Sequence, residues 1–447
     1  MRMNKSGPNY RNGVWITALL ILLVILASCK QESTEQGNTG MELVEPVTIR
    51  VWGGTPAQSG PNEVIANWRK VNPHVNIEYV QFENNESGNE KLETAIYSGR
   101  EIDVVIGYDP QLLNKRILSG MLEPLNSYLS KDGINLTKEF QAEIHEHNGS
   151  VYYIPASRSV EGILINKDML DALGESVPSA DWTWKDFVDL AERLTTGEGE
   201  NKVYGVASNG ELTKMMAHSY FGANCCYNDK GESNFGHPIW TEILRLQSRM
   251  HNEDRSIYPI EEQLHTRMSP DQQFLSGKAA MVWGVYLIRS VQNPGLNAKP
   301  ITATVAPTPR MSQDSPGYNG FGSMDYVSIN AKSKHKQEAW EFLKWYVREG
   351  FGAMSDHGRF PLWNGVNADK IIENYFSKAS DRFDTATFQQ FYSRKYQFYF
   401  PDVQQSVRKD MKDILSEEVK KMLFAEQSLE DTLSVLKKRA SEAASNP

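Results

Sequence analysis

The feature that most constrains this chain is a change of hydrophobic period, from two to about four and back, repeated along residues 47–106. Val47-Thr48-Ile49-Arg50-Val51-Trp52 alternates apolar and polar side chains and runs into Gly53-Gly54, which predicts a strand closed by a tight turn. Residues 61–72 carry Val64, Ile65 and Trp68 on one helical face, and residues 75–82 alternate again. Residues 91–98 read as a short helix ending at Gly99. Asp103-Val104-Val105-Ile106 is continuously apolar after its first residue, as expected of a strand buried on both faces. Strand and helix in alternation predict an α/β layer architecture with a mainly parallel sheet.

The middle of the chain is less regular. Residues 152–155 and 162–165 are short apolar runs around the polar Ser157-Arg158-Ser159. Thr183, with Asp186 three residues on, predicts a capped helix whose buried stripe is Phe187, Leu190 and Leu194. Trp184 reads as core at the start of that helix. Residues 240–250 predict another amphipathic helix, and residues 274–280 a helix end feeding an apolar strand over 281–288. Residues 326–329 predict a strand, followed by a helix over 336–347 that carries Ala339, Trp340, Phe342, Leu343 and Tyr346. Ser428 is placed to cap a last helix with Glu430 and Asp431 in its first turn and Lys437, Lys438 and Arg439 later, a charge order that complements the helix dipole.

A length of 447 residues suits two to four domains or two large lobes. Lys and Arg total 47 against 56 Asp and Glu, a net charge of -9, which argues against a duplex nucleic-acid binder that must displace counterions with a basic face. Three cysteines exclude a disulfide scaffold. The one apolar run long enough to concern a membrane is residues 14–26, behind Arg2, Lys5 and Arg11. Its length matches a signal-peptide core better than a membrane span. It ends in Leu26-Ala27-Ser28-Cys29, which resembles a bacterial lipobox: small residues before the cut and a thiol after it, ready for a diacylglycerol group. The expectation is a signal peptide over 1–28, lipidation of Cys29, a flexible polar tether over 29–46 and a protein held on the outer face of the cell membrane.

Other motifs point nowhere decisive. His145-Glu146-His147 places its imidazoles two residues apart, without the one-face spacing of a helical zinc site. No glycine-rich phosphate loop and no serine nucleophile elbow occurs in the sequence. Acids are plentiful but no local pair marks a glycosidase. Cys225-Cys226 leaves two readings open, a pair of thiols or a strained vicinal disulfide forming an apolar platform near a cleft.

The order of signals over residues 47–440 resembles the extracellular solute-binding proteins of family 1, the receptors of sugar-uptake ABC transporters, with a maltose-binding-protein type of fold. The resemblance is carried by the first strand through Trp52, by Trp68 before Asn72-Pro73, and by Tyr97-Ser98-Gly99-Arg100 before Asp103-Val104-Val105. It continues through Gly120-Met121-Leu122-Glu123-Pro124-Leu125, residues 149–155 and Ile165-Asn166-Lys167-Asp168. It closes with Thr183-Trp184-Lys185-Asp186-Phe187, Phe274-Leu275-Ser276-Gly277-Lys278-Ala279-Ala280-Met281 and Ala339-Trp340-Glu341-Phe342-Leu343-Lys344.

The resemblance implies two α/β lobes of the type II periplasmic-binding fold, joined by a hinge around a ligand cleft. The expected division is 47–156 with 308–360 in the N-terminal lobe and 157–307 with 361–447 in the C-terminal lobe. Ligands of open α/β sheets lie outside the carboxyl ends of the strands. That rule nominates Trp52, Gly53 and Gly54, then Tyr108 and Asp109, then Ser157, Arg158 and Glu161 at the first crossover. The resemblance points to Trp283 and Tyr286 in the C-terminal lobe, and in the late loops to Phe321, Met324, Asp325, Arg359, Phe360 and Trp363. Rings would face the sugar's C–H surfaces and polar groups its hydroxyls. The implied protein is a monomer that needs no cofactor or metal, captures a carbohydrate, an oligosaccharide by preference, and passes it unaltered to the transporter's membrane permease. Three rivals remain: a non-sugar cargo, a sensor that signals without uptake, and a secreted glycoside hydrolase.

Overall fold

Strand and helix follow one another along the first part of the chain as the hydrophobic periods require. The computed structural model describes residues 46–445 except 141, 143, 208–211, 223–224, 229, 293–299, 314, 316–319, 393–395, 397 and 400–408. Strand β1 is Val47–Gly53, β2 Val75–Gln81 and β3 Val104–Gly107. The helix Pro61–Val71 connects the first two strands and the helix Glu86–Tyr97 leads to the third. Both β2 and β3 pair with β1 in parallel.

Strand β4 (Ile154–Val160) then carries the chain out of this sheet, and β9 (Gly320–Ile329) brings it back. The first sheet has the order β10-β4-β9-β3-β1-β2, where β10 is Phe360–Pro361, and β11 (Phe398–Tyr399) pairs with β9. Because β4 leaves and β9 returns, β9 is antiparallel to both β4 and β3. The sheet is therefore mixed rather than mainly parallel, a consequence of building one lobe from two separated stretches of chain.

The second sheet has the order β6-β7-β5-β8, from Tyr204–Val206, Ala279–Trp283, Ile163–Asn166 and Ala303–Ala306. Only β6 and β7 are parallel there. Residues after β8 remain with this lobe. The Trp182 indole donates to the Pro307 carbonyl at 2.7 Å, and the Trp184 amide to the Arg310 carbonyl at 2.8 Å. The chain rejoins the first sheet only with β9, later than residue 308. Three passages thus lie at the junction of the lobes: β4, the start of β9 and β10.

Local signals set the helix ends. Thr183 and Asp186 bond reciprocally as a capping box at the start of Trp184–Leu194, and Ser428 Oγ accepts from the Asp431 amide at 3.0 Å ahead of Leu429–Ser445. The anticipated core residues are inside: Trp184, Phe187, Leu190 and Leu194 on one helix, and Trp340, Phe342 and Leu343 on the helix Lys336–Tyr346. Trp68 ties sheet to helix in the first lobe. Its indole donates to the Val75 carbonyl at 2.8 Å while its ring meets Phe342 edge-on at 5.4 Å. Truncating such a buried ring costs about 3–5 kcal/mol.

The strand expected over 281–288 ends at Trp283. Gly284 has φ of 135°, a region L side chains rarely adopt. The chain turns there into a short 3-10 turn, Val285–Leu287, and the helix Ile288–Gln292. Among the described residues no helix is long and apolar enough to cross a membrane.

Candidate ligand cleft

The carboxyl end of β1 is shaped by two glycines that admit two tyrosines. A Cβ on Gly53 would stand 2.7 Å from the Tyr79 hydroxyl, and one on Gly54 would stand 2.9 Å from the Tyr108 ring. In the space so left, Tyr79 donates to the Thr55 carbonyl at 2.7 Å. The Gly54 amide donates to the Tyr108 hydroxyl at 3.0 Å, and Thr55 Oγ1 lies 3.2 Å from the same oxygen. Burial raises the pKa of both phenols, so they act as neutral hydroxyls.

The return strand adds charge beside them. Arg359 donates from Nη1 to Asp325 Oδ2 at 2.6 Å, and its guanidinium lies 5.4 Å from the centre of the Tyr108 ring. Burial opposes the Arg359 charge, but Asp325, with Tyr108 and Tyr346 behind it, outweighs burial and holds its pKa above the ordinary arginine value. Arg359 Nε is buried without a partner among the described residues.

The second lobe contributes the opposite wall. Glu161, just past β4, accepts from the Val285 amide at 2.9 Å and so caps the turn that Gly284 opens. Burial pushes its pKa up to about 7, partly offset by that amide and by the Arg289 charge. Tyr286 is exposed and donates to Asp271 at 2.8 Å. Arg289 reaches across: a Cβ on Gly358 would stand 3.1 Å from Arg289 Cγ and 2.9 Å from the Tyr375 hydroxyl. Arg158 faces Phe360 and Met324 in register on β10 and β9, and its Nη2 lies 3.5 Å from the Tyr392 carbonyl.

The nominated residues therefore separate. Gly53, Gly54, Tyr108, Asp325 and Arg359 gather at the first wall. Arg158 and Glu161 stand at the crossover, with Tyr286 beyond them. Trp52 does not join the group: it is 6% exposed within the first-lobe core, and the Arg100 guanidinium lies 5.1 Å over its ring. The side chain of a strand residue alternates faces, and the Trp52 ring is buried in the first-lobe core. Asp109 is occupied as a helix cap, accepting from the Gln111 and Leu112 amides at 2.7 and 3.0 Å. Ser157 is buried in β4, Met324 in the first-lobe core, and Phe360 against Tyr375 and Tyr392. Trp283 is half-buried against the second-lobe core, and Trp363 packs on the first-lobe core with a backbone bridge to Phe140. The Phe321 backbone pairs with Tyr399, but its side chain lies outside the described residues.

Sequence reasoning missed Thr55, Tyr79, Arg289 and Tyr375. Tyr79 was visible only as one member of an alternating strand. Arg289 was hidden by reading a strand through Gly284, the residue that could have given the turn away. Cys225 and Cys226 are free thiols buried in the second-lobe core, with their sulfurs 3.6 Å apart. Among the described residues no three His, Cys, Asp or Glu side chains gather as a metal site.

The walls thus offer hydroxyls, backbone amides and guanidinium forks, a set suited to gripping a polar solute. Known proteins place this arrangement in context. A maltotriose-binding protein of Pyrococcus abyssi is 24% identical over 292 residues, 63% of this chain and 59% of its own length. An ABC substrate-binding protein of Listeria monocytogenes, solved in complex with cycloalternan, superposes with a TM-score of 0.73 at 19% identity, covering 89% of this chain and 99% of its own. The maltose-bound MalE3 of T. maritima gives a TM-score of 0.68 at 16% identity, with 89% and 100% covered. The two-lobed type II fold follows from these superpositions. Residues 52–352 match the family model described as bacterial extracellular solute-binding protein, and the chain belongs to that family.

Proposed function

We propose that this chain is an extracytoplasmic receptor that closes on a carbohydrate between its lobes and delivers it unaltered to the permease of an ABC transporter. The observation that carries the reading is the meeting of two walls: Tyr108, Asp325 and Arg359 on one lobe, and Arg289 of the other beside Gly358. A ligand held by both walls favours the closed arrangement by its differential affinity for that state. The maltotriose-binding relative and the structural neighbours bound to cycloalternan and maltose support a saccharide as cargo. The lipobox at Leu26-Ala27-Ser28-Cys29 supports anchoring through a lipid on Cys29 after removal of residues 1–28.

A thermal-shift screen of the purified protein against mono- and oligosaccharides tests this. A ligand at 100 times its Kd raises stability by about 2.7 kcal/mol. A hit recovered chemically intact after incubation is expected; a cleaved saccharide would instead indicate a hydrolase. Anchoring is read separately, by mass spectrometry of the membrane fraction and its loss in Cys29→Ala.

A further inference from the structure

Arg289 is a cation in the cleft that makes no ion pair among the described residues, although the Glu161 and Asp325 carboxylates lie near enough to feel its charge. Among the described residues no carboxylate lies within ion-pair distance of it, and its hydrogen bond runs from Nε to the Tyr286 carbonyl at 3.3 Å. Its side chain is open to solvent in the cleft, yet protein surrounds it closely enough that burial, and next the Arg359 charge, depress its pKa. The two arginines come from different lobes and meet across Gly358, whose φ of 74° leaves room that a Cβ would take from both Arg289 and Tyr375.

The neighbouring acids are occupied. Asp325 is bonded to Arg359 at 2.6 Å. Glu161 is held by the Val285 amide and is only partly ionised at neutral pH, given its pKa of about 7. Arg158 brings a third positive charge to the crossover strand. Two further polar atoms wait there: Arg359 Nε and the Tyr375 hydroxyl are buried with no partner among the described residues, and Tyr375 is 2% exposed. A buried donor left unpaired is unfavourable by about 1–3 kcal/mol, so a site with two of them beside a cation that makes no ion pair among the described residues is one a ligand completes. The chain as a whole carries a net charge of -9, so these arginines stand against an acidic overall balance.

We propose that the cleft takes an acidic carbohydrate, seating its carboxylate, sulfate or phosphate ester between Arg289 and Arg359. A neutral hydroxyl would leave the Arg289 charge unpaired, whereas an oxyanion accepts from Arg289 and from the Arg359 Nε that Asp325 leaves free. The inference rests on the carbohydrate reading above and narrows it.

Isothermal titration of the full chain in detergent decides the matter, using maltotriose, trigalacturonate, a sulfated disaccharide and glycerol phosphate as probes. At least one acidic saccharide is expected to bind about 100-fold more tightly than its neutral counterpart at low salt, with affinity falling as salt rises. The carboxylate and sulfate arms identify which oxyanion is read. Arg289→Gln is expected to erase the preference, Arg289→Lys to restore part of it, and both to keep the wild-type circular dichroism. Neutral saccharides binding as tightly as acidic ones would overturn this inference and leave the carbohydrate reading standing. So would Arg289→Gln weakening neutral and acidic ligands alike. Binding of glycerol phosphate with no saccharide bound would overturn the carbohydrate reading itself, and this inference with it.

Discussion

Asp325 is the residue whose loss the first wall tolerates least. Its carboxylate holds Arg359 at 2.6 Å, with side-chain exposures of 9% and 18% respectively. Asp325→Asn would strand a buried guanidinium next to Arg289, and breaking one partner of a buried pair costs about 3 kcal/mol or more. A fall of that size in urea-unfolding stability is expected, with much of it recovered in the double variant Asp325→Asn, Arg359→Met. An unchanged urea midpoint in the single variant would mean that the pair does not hold the wall together. Glu161 predicts a pH dependence of definite sign. Burial moves its carboxyl pKa from the ordinary 4.5 to about 7 in the fold, so the native state binds the proton more tightly than the unfolded chain. Its contribution therefore disfavours the native state progressively as pH climbs from about 4.5 to about 7 and is constant above that. At ~1.4 kcal/mol per unit of pKa difference, the drift is bounded at about 3 kcal/mol. Unfolding at pH 4.5 and pH 8 should show this drift in the wild type and its loss in Glu161→Gln; an identical drift in both would assign it to other groups.

At the scale of elements, the turn at Gly284 is the part of the second wall that decides where Arg289 stands. Gly284→Ala would force a side chain into φ of 135° and bring its Cβ to 2.5 Å from the Tyr286 ring. Strain of about 1–3 kcal/mol is expected, and with it a displaced Val285–Leu287 turn. Ligand affinity should fall at least tenfold, measured by calorimetry, whereas substitution at exposed Gly99, where a Cβ would meet nothing, should leave affinity intact. Equal losses at both positions would show that the turn does not set the site. This element also marks the limit of what the sequence disclosed. β1 and its Gly-Gly ending, the Thr183 capping box and the apolar face of the helix Lys336–Tyr346 were legible because each is a local pattern of period or cap. Tyr108 was legible as a position past a strand end, and Asp325 and Arg359 only as nominations of the resemblance, which put Asp325 in a loop although it lies inside β9. Their mutual contacts were not, since Tyr108 and Arg359 are 251 residues apart in the chain and no local pattern records such a meeting. For Trp52 the sequence leaves the face open, since alternation alone does not say which layer a strand-end ring meets; the ring is buried in the first-lobe core.

For the molecule as a whole, the three passages between lobes make the balance of open and closed forms sensitive to cleft charge. β4, β9 and β10 cross side by side, with Arg158 in register between Phe360 and Met324. Any rotation is taken up over those few residues. On the acidic-ligand proposal, the Arg289 and Arg359 charges disfavour closure without ligand, less so for the pairing of Arg359 with Asp325, and an oxyanion between them reverses that sign. Salt at 0.1 M, with a Debye length of about 10 Å, should weaken the repulsion without ligand. X-ray scattering is then expected to show a smaller radius of gyration on ligand addition, and a modest decrease with salt alone in the wild type. Arg289→Gln should start from the smaller value and respond little to salt, because the repelling partner is gone. A wild-type radius indifferent to both ligand and salt would count against closure driven by this pair. A response to ligand but not to salt would keep the closure and transfer its cause to the hydroxyl and amide contacts around Tyr108 and Thr55.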